Sequence, residues 1–189
     1  MKKLREASRP NLAFMILVFF VLSFISARVF TTFFPSTILI VGGYHIHHFF
    51  YGIVLLVIGG WLGINYHQDQ IDRIAAVIFG VGGGLVGDEI GFIVTFNYYS
   101  EITYTFVVSL LAFAFMATIV KRHGKAILTE LGGFFRINLD LYVGLFLASV
   151  SSAFLIQSDN MLAVALSGIT LIVGLALVLR RIIRHVKHR

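Results

Sequence analysis

Two acids and a run of histidines are the residues of this chain best suited to chemistry. Asp88 and Glu89 stand side by side in IAAVIFGVGGGLVGDEIGFIVTF, residues 74–96, a stretch that is apolar nearly throughout and long enough to cross a bilayer. The segment YHIHHFFYG, some forty residues earlier, supplies His45, His47 and His48. A carboxylate within a membrane costs about 3 kcal/mol on insertion scales, so each must meet a countercharge, a proton or a cation. Arg28, inside the first apolar run, is the nearest match in depth: it falls roughly 9 Å, and Asp88 roughly 12 Å, below the same surface at 1.5 Å per residue. One arginine offsets one carboxylate, and the neighbouring acid points about 100° away around a helix. The second acid is left to histidine, tyrosine or a metal. Imidazole with carboxylate suits zinc, iron or manganese, so a divalent metal, zinc foremost, is the cofactor expected on His45, His47, His48, Asp88 and Glu89.

The elements that must position these groups follow from composition. The chain has 189 residues, 58% hydrophobic and 13% charged, with mean hydropathy +0.92. A soluble domain carries about twice that share of charge. The expected fold is all-α: one polytopic membrane domain over 1–189, with six transmembrane helices at about 11–34, 44–66, 74–96, 104–120, 141–156 and 161–179. The last is expected to run on into a basic tail, 180–189. Residues 121–140, with Ile127, Leu128, Leu131, Phe134 and Phe135, suggest a half-helix lying on the surface. The basic start before the first run resembles a signal peptide, but the run is long and no small-x-small cleavage pattern closes it. No low-complexity segment and no internal repeat stand out. The absence of cysteine excludes disulfides, thiolate metal sites and cysteine nucleophiles.

Six spans place fourteen of the fifteen lysines and arginines on one face, the exception being Arg28. That asymmetry predicts a plasma-membrane protein with both termini in the cytoplasm. Membrane lipid is the expected partner, with anionic headgroups at the tail. A homo-oligomer fits a transport role, and no nucleic-acid partner is expected, since no recognition fold accompanies the charge.

Gly80, Gly84, Gly87 and Gly91 form one helical stripe, and Gly52, Gly59 and Gly63 another. Small stripes let membrane helices approach closely. An antiparallel register setting 52 against 91, 59 against 84 and 63 against 80 aligns three pairs; a slipped register with 52 against 84 is the alternative. The aligned register leaves His48 about 10 Å shallower than Asp88. A site joining histidines to acids therefore needs the slipped register, a bend at the three glycines, or a non-helical HIHH. Tyr51 and Tyr104 are further outer-side candidates, although aromatic belts place tyrosine at that depth anyway.

YHIHHFFYGI followed by GVGGGLVGDEIGF resembles an uncharacterised family of small prokaryotic multi-pass integral membrane proteins. These pair an HxHH helix start with a glycine-rich helix ending in Asp-Glu. The resemblance covers about residues 43–104 and marks His45, His47, His48, Gly52, Asp88, Glu89 and Tyr104, but it implies no activity. The HxxHH boxes of membrane desaturases, HExxH and GxSG are absent. Three functions stay open. One is a metal-dependent hydrolase or lipid-modifying enzyme in which Asp88 or Glu89 acts as base. Another is a structural or assembly subunit held by an Arg28–Asp88/Glu89 ion pair. The third is a proton- or cation-coupled transporter.

Overall fold

A computed structural model describes residues 2–34, 39–41, 44–89, isolated positions between 110 and 124, and 138–187. Five helices stand among the described residues: α1 (Lys2–Phe33), α2 (His48–Asn65), α3 (Asp69–Asp88), α4 (Leu139–Gln157) and α5 (Met161–Lys187). Each is long and apolar enough to cross a membrane, by length and composition. This is a multi-pass, membrane-type helical protein. The helix expected at 104–120 and the surface half-helix fall almost wholly outside the described residues; the isolated positions described between 110 and 124 are helical.

The second helix begins later than expected. Leu39–Val41 (β1) and Tyr44–Ile46 (β2) pair antiparallel, with Ile40 opposite His45. The β-branched run TILIV before Gly-Gly, with strand-favouring Tyr44 and Ile46 alternating after it, is a hairpin signal that outweighs the helical reading here. His47 remains extended and caps α2, and His48 is its first residue. The third helix also shifts. It starts at Asp69 and closes at Asp88, with Glu89 in a turn whose N–H bonds the Val86 carbonyl at 3.2 Å. The acids thus sit at a helix end, not in mid-helix.

Helix α3 lies at the centre, packed on α1, α2 and α4, while α4 and α5 form a second hairpin. The aligned glycine register is not the one adopted. A Cβ on Gly52 would meet the Gly82 carbonyl oxygen at 2.8 Å and Leu85 Cβ at 3.0 Å, and one on Gly59 would meet the Phe79 nitrogen at 2.7 Å. The register is slipped in the direction of the alternative, but Gly52 meets Gly82 and not Gly84. Gly80 and Gly84 do not face α2 at all: their α-carbons abut the backbone of α1 at Ile16 and Phe20. Consecutive glycines at 100° intervals present a small surface in every direction, so α3 can receive a helix on both sides. Gly87 is buried on the same helix, and Gly91 lies outside the described residues. Ser23 adds a buried hydrogen bond from its hydroxyl to the Val81 carbonyl, 2.9 Å, across the α1–α3 contact.

A differential effect follows. Gly52→Ala or Gly84→Ala must push backbone aside, with an expected loss of about 1–3 kcal/mol. Gly63→Ala, whose Cβ would touch only Ala75 Cβ, at 3.8 Å, among the described residues, is expected to be near neutral. Thermal denaturation in detergent compares the three; equal losses would contradict this packing.

Candidate functional site

The site forms where three helix ends meet. His48 opens α2, Asp88 and Glu89 close α3, and Gln157 ends α4; Arg28 reaches in from the last turns of α1. Carboxylates at a helix C-terminus face the negative end of its dipole, which adds to the cost of burying them. Asp88 is 1% exposed and Glu89 5%.

Arg28 offsets much of that cost. Its Nε donates to Asp88 Oδ1, and its Nη2 donates to the Asp88 backbone carbonyl at 2.7 Å. One guanidinium therefore neutralises the carboxylate and also caps the helix terminus, a pair of tasks suited to arginine's rigid fork of donors.

Glu89 is met by the histidines. His47 Nδ1 lies 3.4 Å and His48 Nε2 3.7 Å from Glu89 Oε1, while His48 Nε2 lies 3.2 Å from Asp88 Oδ2. His48 is wholly buried. Its other nitrogen, Nδ1, is 3.0 Å from Gln157 Oε1. With the Gln157 oxygen accepting, Nδ1 carries the proton and the Nε2 lone pair turns toward two carboxylates. Such an arrangement is repulsive unless a cation, a proton or a metal, lies among them. Among the described residues, His48 Nε2, Asp88 Oδ2 and Glu89 Oε2 are all buried and make no hydrogen bond. One ligand atom from each of the three residues falls within 4.8 Å of the other two. Ligands on a tetrahedral zinc at 2.0–2.1 Å stand about 3.3 Å apart, close to the 3.2 and 3.7 Å found here.

The histidines and acids meet by two of the three routes the sequence left open: a slipped register and a non-helical HIH. Not every expected residue joins them. Tyr51 packs against the apolar core. The side chain of His45, and Tyr104 entirely, lie outside the described residues. Gln157 was absent from the expected set, because QSDN reads as a turn; a polar residue at the end of an otherwise apolar helix was the available signal. No family model, curated protein or solved structure matches the chain.

Proposed function

We propose that this protein holds a divalent metal, zinc the best fit, within the membrane region on His48, Asp88 and Glu89, and uses it in hydrolysis of an amphiphilic lipid. The observation that carries this reading is the convergence within 4.8 Å of one ligand atom each from buried His48, Asp88 and Glu89, with the far nitrogen of the imidazole held by Gln157. Metal-bound histidines commonly have their second nitrogen fixed in this way. Three protein ligands leave a fourth position open, the arrangement of catalytic zinc, which supplies an acidified water and polarises a carbonyl or phosphoryl oxygen.

The chain's own groups divide the remaining work. Asp88, pinned by Arg28, orients. Glu89, whose Oε2 has no hydrogen-bond partner among the described residues, takes the proton of an attacking water. An apolar groove of about 570 Å³ runs between α1, α4 and α5, lined by Phe30, Phe34, Val150, Phe154 and Leu166. The Phe154 ring stacks on Phe30 and meets the His48 ring edge-on, centroids 6.3 Å apart. An acyl chain in this groove would bring its polar end toward the triad. The six-span topology with cytoplasmic termini belongs to the same proposal and rests on the charge asymmetry.

Elemental analysis of purified protein tests the reading. One metal per chain is expected, falling to a small fraction in Glu89→Gln; metal-free wild type sinks it. The Arg28–Asp88 pair favours a second reading, a packing role for the centre without chemistry, which metal-free but stable protein would support.

A further inference from the structure

The two helical hairpins share a close contact and then part. A Cβ on Gly52 would meet Gly82 O at 2.8 Å and Leu85 Cβ at 3.0 Å; one on Gly144 would meet Gly174 O at 2.8 Å and Leu177 Cβ at 3.0 Å. Each residue of the second set stands 92 positions after its counterpart in the first. Nearer the connecting turn the likeness ends. A Cβ on Gly59 would meet the Ala75 carbonyl oxygen at 3.0 Å and the Phe79 nitrogen at 2.7 Å, so α2 and α3 stay closed. In the second hairpin the same offset puts Ser151 where Gly59 stands and Ser167 where Ala75 stands. Both serines line the apolar groove of about 570 Å³ between α1, α4 and α5.

The hydroxyls in that groove are not alike. Ser26 and Thr170 also line it, but they bond back to their own helices, to the Leu22 and Leu166 carbonyls at 2.8 and 2.7 Å. That is a common outcome for a hydroxyl on an apolar helix. Ser151 and Ser167 are 4% and 7% exposed, and among the described residues their side chains make no hydrogen bond. A donor buried in oil without an acceptor is costly. No charged residue lines the groove, so the acceptor that fits is a neutral oxygen. The place of these donors is also fixed. Phe154, which meets the His48 ring edge-on, marks the part of the groove next to the triad. Ser151 stands six residues before Gln157 on α4, roughly 9 Å further along the helix.

We propose that the groove takes an acyl chain carrying a neutral mid-chain oxygen, a keto-acyl lipid, whose carbonyl accepts hydrogen bonds from Ser151 and Ser167. The direction of the chain, with its polar end toward His48, rests on the hydrolytic reading above; the preference for the oxygen does not. A bare acyl chain leaves both donors unmet, whereas a carbonyl oxygen has two lone pairs, one for each hydroxyl. Apolar walls with a few placed polar groups are the usual make-up of a small-molecule site, and the volume is in the usual range. The two serines thus set which chains are taken, and the triad acts on the other end.

Native mass spectrometry of the full-length protein with palmitate or its mid-chain keto analogue tests this. The keto analogue is expected to bind about ten-fold tighter, the gain from two neutral hydrogen bonds. In Ser151→Ala/Ser167→Ala that preference should vanish while palmitate binding is unchanged, because alanine keeps the small volume of the seam and loses only the donors. If the double variant fails to fold, each single variant should lose part of the preference. Leu166→Trp, at a half-exposed position lining the groove, should weaken both probes alike. A chelator should leave the preference intact. Metal-free protein that keeps it would sink the hydrolytic reading and leave the groove site standing; loss of the preference on chelation would put the oxygen on a metal and overturn the serine site. Equal or absent binding of the two probes, a preference untouched in the serine variants, or binding indifferent to Leu166→Trp also overturns it.

Discussion

Arg28→Ala is expected to destabilise the protein by about 3 kcal/mol, the lower end of the cost of breaking a buried ion pair, because Asp88 is buried while the Arg28 side chain is 31% exposed. Two losses combine. Asp88, 1% exposed, keeps a full charge with no guanidinium beside it, and the last carbonyl of α3 loses its 2.7 Å donor. The histidines cannot replace Arg28, since His48 Nε2 faces Oδ2 and not the Oδ1 that Arg28 engages. Arg28→Lys should recover only part of the loss, because a single ammonium cannot reproduce the fork that holds side chain and backbone together. The double variant Arg28→Met/Asp88→Leu should recover most of it, by replacing an ion pair with apolar groups of similar size. Reversible unfolding in mixed micelles measures all three. An Arg28→Ala midpoint indistinguishable from wild type would mean that the pair contributes nothing to holding α1 on α3.

If His48 holds the proposed zinc, Gln157→Leu should weaken its binding 10–100-fold while leaving the fold intact, the range expected when the outer partner of a metal-bound histidine is removed. The reason is orientation. Gln157 Oε1, 3.0 Å from Nδ1, fixes the far nitrogen of a ring whose Nε2 faces Asp88 and Glu89 and which meets Phe154 edge-on. Without it the imidazole can exchange tautomers and offer a protonated Nε2 to the metal. Gln157→Glu should hold affinity or raise it, because a carboxylate accepts the same hydrogen bond and makes the ring more basic. Competition against a chromogenic chelator reads both. If Gln157→Leu binds zinc as tightly as wild type, then His48 is not a ligand through Nε2.

Apolar run length and the scarcity of charge are properties of the chain alone, so the helical membrane class and the approximate places of the apolar helices were readable without coordinates. So was the Arg28–acid pairing, because an isolated arginine at matching depth has few other partners. Helix ends were less readable. The Gly-Gly hairpin moved the start of α2 to His48, and the end of α3 moved to Asp88; those two shifts bring imidazole and carboxylate together. The partner of each glycine was not readable either. On α3 small residues face both sides, and only packing assigns Gly82 to α2 and Gly84 to α1. The likeness of the two hairpins was hidden for a related reason: its identities sit at the Gly52–Gly82 and Gly144–Gly174 contacts, while other positions differ, the exposed Trp61 against the buried Ala153 and the buried Gly59 against Ser151. Sequence therefore specified what must be buried in oil. Tertiary structure decided which buried groups face one another, because contact between helices depends on register and rotation, and a run of interchangeable apolar residues encodes neither.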